Sequence, residues 1–180
     1  MQKMRKSVAF AATLLAIASL TALSQSAPRQ KGQTHFSAED EGVNHPVAIP
    51  PEVLAILAKD ETVHPVLEDQ GITPVNLPAS WFSAAQIQLG GIGEKDFIVA
   101  AEGPLMGANI SPFWVFIHDS HGYKLALSIS VHDLIVKRTR SHGYRDIELD
   151  AMTVSTVTTA QFRFDGSEYR ESSVKTEEIK

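Results

Sequence analysis

Pro112-Phe113-Trp114-Val115-Phe116-Ile117, then Ser120-His121-Gly122-Tyr123 and again Ser141-His142-Gly143-Tyr144, decide the fold class. The repeated tetrapeptide punctuates a stretch that runs to Arg170 and alternates strand with turn. After the first turn, Tyr123, Leu125, Leu127, Ile129 and Val131 share one parity, while Lys124, Ala126, Ser128 and Ser130 share the other. A period of two sets one side of such a segment against a core and leaves the other in or near water. Phe113 to Ile117 is instead apolar at every position, the pattern of a strand covered on both faces. It is expected to be the central strand, with Phe113, Val115 and Ile117 on one side and Trp114 and Phe116 on the other.

Outward from there, His132-Asp133 breaks the run and Leu134 to Val136 starts a new strand. Asp146 to Asp150 alternates acid with aliphatic, and Val154 to Phe164 is Thr-rich and β-branched. Asp165-Gly166 is a two-residue hairpin signal before Tyr169. Upstream, strands over 84–89 and 97–101 flank Gly90-Gly91-Ile92-Gly93. No helix or Lys-Ser/Thr pair follows these glycines, so they read as a hairpin turn and not as a phosphate cradle. Pro50-Pro51 opens a short helix over Glu52 to Lys59, with Glu52 at its positive end. A further helical turn fits Pro65 to Gln70, closed by Gly71. The expected fold is mainly β: an antiparallel meander of six to eight strands, as a sandwich or open barrel, with one short N-terminal helix docked on it.

Residues 1–26 have the order of a secretory signal peptide: Lys3, Arg5 and Lys6, then an apolar run, then small residues around Ser24 and Ser26. Residues 27–49 read as a flexible lead-in, 50–172 as a single β-rich domain, and 173–180 as a disordered, charge-rich tail. Removing 1–26 takes away three basic residues and no acidic one, leaving 13 basic against 21 acidic, a net of −8. Such a chain has no electrostatic case for nucleic acid or for an anionic membrane after signal cleavage. With no cysteine, disulfides, thiolate metal sites and Cys nucleophiles are excluded. The expected location is periplasmic or secreted, and no motif calls for a cofactor.

Two constellations are candidates for function. Residues 102–111 form a longer loop than a hairpin needs, and its glycines, Gly103 and Gly107, flank Leu105 and Met106; these two and Asn109 are the candidate binding residues. His118, His121 and His142 lie at or near equivalent turns, and imidazoles with a neighbouring carboxylate are a zinc or copper set. Against that set, a polar residue before Gly is ordinary turn chemistry. The acidic ladder Asp146, Glu148 and Asp150 is expected to face Lys137, Arg138 and Arg140 across strands.

Gly143-Tyr144-Arg145-Asp146-Ile147, with Phe162-Arg163-Phe164-Asp165-Gly166 and Tyr169, resembles a pattern in uncharacterised exported bacterial β-domain proteins. In those, a Gly-Tyr-x-Asp turn opens a strand and a Phe-x-Phe-Asp-Gly hairpin closes the domain. The resemblance covers about a third of the chain. It implies an exported β domain and carries over no catalytic residues. The expected function is a non-catalytic binding or inhibitory module acting on another exported protein or an envelope polymer. The rival reading is a small metal-dependent hydrolase using the His118, His121 and His142 end.

Overall fold

A computed structural model describes residues 32–39, 43–91 and 95–179, and the signal-peptide reading of 1–26 lies outside them. The chain is mainly β, as expected, and builds two open antiparallel sheets. The strands are β1 (His35–Ser37), β2 (Phe82–Ile87), β3 (Asp96–Ala101), β4 (Ser111–Asp119), β5 (Gly122–Val131), β6 (Asp133–Ser141), β7 (Tyr144–Met152), β8 (Thr156–Phe164) and β9 (Tyr169–Glu178). One sheet has the order β2-β3-β4-β5 and the other β1-β6-β7-β8-β9. Two short helices, α1 (Pro51–Leu57) and α2 (His64–Asp69), precede β2. None of the described helices is long and apolar enough to cross a membrane.

The four-stranded sheet lies between two cores, which explains the unbroken apolar run of β4. Phe113, Val115 and Ile117 join Ile98, Leu134, Ile147 and Leu149 in a core between the sheets. Trp114 and Phe116 join Val53, Leu57, Leu67, Phe82 and Val99 in a second core beneath the helices. The alternation expected for β4 therefore divides its side chains cleanly between the two.

β5 departs from the simple alternation. Val115 is opposite Leu127 but Phe116 is opposite Leu125, so Ala126 is an extra residue in a bulge. A bulge shifts the side-chain parity by one. Leu127, Ile129 and Val131 accordingly face the core between the sheets, while Tyr123 and Leu125 pack under the helices. The stripe read as one face is split between two cores.

The chain changes sheets at His132, the single residue between β5 and β6. Its N–H donates to Asp150 O, its carbonyl accepts from Ala38 N–H, and its Nδ1 accepts from Met152 N–H at 3.1 Å. Two backbone bonds and one to the imidazole hold this corner.

Strands also form where composition pointed to irregular chain. β1 lies inside the stretch read as a lead-in and pairs with β6, with Phe36 fully buried. β9 continues through the stretch read as a tail, paired with β8 as far as Thr156–Glu178. The helical turn before Gly71 becomes a second helix, α2, beside the single one expected. Between Phe164 and Tyr169 the β8–β9 connection is closed by Asp165 N–H donating to Glu168 O, so its tip is Gly166-Ser167 and not Asp165-Gly166. Asp165 Oδ1 accepts from Ser167 and Glu168 N–H and organises it.

Candidate functional site

The loop between β3 and β4 starts with a 3-10 turn, Gly103–Leu105. Leu105 is 6% exposed and belongs to the core under the helices, whereas Met106 is 47% and Ile110 43% exposed. Asn109 is exposed as well. The candidate binding set thus divides: Leu105 is an anchor, and Met106 and Asn109 stand outside with Ile110, which sequence reasoning passed over. Gly103 has a φ of +56°, a conformation that favours glycine. A Cβ on Gly107 would sit 2.5 Å from the Ile110 carbonyl oxygen, so the chain closes on itself there. The loop is a built, anchored structure that holds apolar side chains in solvent.

The histidine turns do fall together at the other end of the strands. Lys124 Nζ donates to Ser167 Oγ at 2.7 Å, and His142 Nδ1 lies 2.8 Å from Phe164 O, so the three hairpin ends adjoin. The three imidazoles nevertheless have separate surroundings. His118, on the four-stranded sheet, packs edge-on against Tyr123, with ring centres 4.7 Å apart. His121 is exposed, with its N–H held by Asp119 Oδ1 in a side-chain-closed turn. His142, on the five-stranded sheet, adopts a left-handed φ of 49° beside Gly143 at 86°, the backbone of a tight two-residue hairpin turn. Among the described residues no group of three His, Asp or Glu side chains is arranged to hold a metal ion.

The acidic ladder is only partly paired with the basic run. Lys137 Nζ bonds both oxygens of Glu148 at 2.9 Å, and Gln161 donates to the same carboxylate. Burial pushes the Glu148 carboxyl up, but these two hydrogen bonds outweigh it and leave it below the ordinary range. Asp146 stands opposite the irregular stretch between Val136 and Arg140 and is 6% exposed. Its Oδ1 has no hydrogen-bond partner. Arg140, expected to face the ladder, donates instead to the carbonyls of Leu89, Gly90 and Gly143. Arg145 likewise donates to the carbonyls of Val136 and Lys137.

A second feature escaped sequence reasoning. Asp96, fully buried, accepts N–H groups from Leu89, Gly90 and His118 and so ties the β2–β3 turn to the end of β4. The only signal was an acid immediately before an apolar run. Asp60 acts similarly at the margin of an open groove of 590 Å³ lined by Lys59, Asp60, Glu61, Thr62 and part of β5. One of its oxygens accepts from Thr62 N–H and the other from Ser128 Oγ. Both carboxylates serve the fold.

No protein-family model, curated protein or solved structure matches the chain.

Proposed function

We propose that this chain is an exported, non-catalytic binding or inhibitory module, and that the β3–β4 loop is its contact surface for another envelope or extracellular protein. The observation that carries this reading is the division within the loop. Leu105 is fixed in the core, while Met106 and Ile110 are held about half exposed on a backbone that closes tightly at Gly107. Ordering a binding loop before the partner arrives lowers the entropy cost of association. Flexible Met and branched Ile suit an apolar protein surface better than a polysaccharide. The placement on a doubly covered sheet supplies the rigid scaffold on which binding loops are commonly carried.

Retention of envelope proteins by the immobilised chain tests the reading when Met106→Ser/Ile110→Ser is compared with the native sequence. A specific species held by the native chain and lost by the pair, at unchanged thermal midpoint, is the expected result. Equal retention by both removes the loop as the contact surface. Leu105→Ser is expected to lower the midpoint by loss of core packing, which separates anchor from contact.

A further inference from the structure

β9 is the last strand of the five-stranded sheet among the described residues, bonded on one side to β8. Every residue from Arg170 to Glu178 is exposed, with Val174 at 51% and the adjoining Ile179 at 50%. Ile179 N–H donates to Ser155 O at 2.8 Å, which fixes the phase of the antiparallel ladder. Hydrogen-bonded and non-hydrogen-bonded pairs alternate along such a ladder. Ser173, Lys175 and Glu177 therefore bond toward β8, and the N–H and C=O groups of Val174, Thr176 and Glu178 point away from it. An edge of this kind is a template for another strand unless something blocks it.

We propose that the β9 edge pairs with β9 of a second copy of this chain, antiparallel and centred on Thr176. The charge pattern selects both the occupant and the register. A two-fold axis perpendicular to the sheet places a residue opposite itself, and with Thr176 on the axis Lys175 of each copy faces Glu177 of the other. Val174 then meets Glu178, and the outward backbone groups of 174, 176 and 178 find partners, forming about six hydrogen bonds. Lys175 already contacts Glu177 in its own strand, so the pairing completes an alternating four-charge square. Neighbouring registers fail on the same pattern. Centring on Lys175 sets two ammonium groups face to face, centring on Glu177 does the same with two carboxylates, and centring on Val174 sets Lys175 against Ser173 and loses the cross-strand ion pairs. Arg170 and Glu171 lie beyond the bulge at Ser172, outside the pairing, and Arg170 is engaged with Asp165 and Glu168. Charges on an edge strand ordinarily repel a neighbour. Here they are self-complementary.

Sedimentation of the full chain over a wide concentration range is the first measurement, with circular dichroism and the thermal midpoint as folding controls. The native chain is expected to dimerise, Lys175→Glu to weaken the dimer by roughly tenfold or more, and Lys175→Glu/Glu177→Lys to restore it. The second measurement uses the absence of native cysteine. In this register the two copies of residue 176 have Cα atoms about 5.5 Å apart, within the roughly 4.4–6.8 Å that a disulfide spans. Thr176→Cys is expected to give a covalent dimer on mild oxidation, and Ser173→Cys, displaced from the axis, to give far less. A native chain that stays monomeric at every concentration overturns the proposal. So does a dimer indifferent to Lys175→Glu, equal cross-linking at 173 and 176, or a monomer whose β9 takes up a strand of a different protein.

Discussion

Asp165 illustrates how one polar side chain decides a connection in this chain. Its Oδ1 accepts the N–H groups of Ser167 and Glu168, and its Oδ2 lies 3.1 Å from Arg170 Nε. Led by the Glu168 amide, these donors hold its pKa down to about 2. The unfolded chain releases this proton near pH 3.9, so the ionised form favours the folded state. That contribution is complete above the unfolded value and disappears as the pH falls toward about 2. Asp165→Asn is therefore expected to flatten the acid limb of the thermal-midpoint profile between about pH 4 and 2. Because Asp165 lies at the surface, the effect is expected to shrink with added salt. Superimposable native and variant profiles would show that the loop does not depend on this carboxylate.

Among the elements, β4 was legible because covering both faces of a strand demands an apolar side chain at each position. Its aromatic residues are the costliest to truncate: Trp114→Ala and Phe116→Ala are each expected to lose about 3–5 kcal/mol in chemical denaturation. A loss near that of an exposed position such as Val154 would mean that the core under the helices contributes little. β5 was harder to read because the bulge at Ala126 leaves no mark in composition, although it reassigns Tyr123 and Leu125 to the other core. β1 is three residues long, too short for any periodicity to register. β9 looked like a tail for a physical reason: an edge strand exposed on both faces needs no apolar row, so its charges gave no strand signal. The loop's length and glycines pointed to Leu105 and Met106 together, but only packing separates the anchor from the exposed side chain. The turns bearing His121 and His142 were placed correctly at one end, while proximity of hairpin ends did not bring the imidazoles into one ligand set.

At the scale of the whole molecule, the four-stranded sheet is the shared wall of both cores, and this predicts an order of protection in hydrogen exchange. β3 and β4 are interior strands, each bonded on both edges and buried on both faces over most of their length. Their amides have no route to solvent short of disrupting the core between the sheets and the core under the helices at once. They are expected to exchange last, by global opening. β6 and β7 are also interior but covered on one face, so their amides are expected to follow. The β8–β9 hairpin extends past the part of its sheet that the core covers: Phe164 and Tyr169 are buried, whereas positions beyond Arg170 are exposed. Its far half is expected to open locally, with Val174, Thr176 and Glu178 fastest at dilutions where the chain is monomeric. Raising the concentration is expected to slow these three amides selectively if β9 pairs with its counterpart, leaving the β3 and β4 rates unchanged. Uniform rates across both sheets would mean that the molecule opens as one unit, and that the doubly covered sheet is no more stable than the layer it supports.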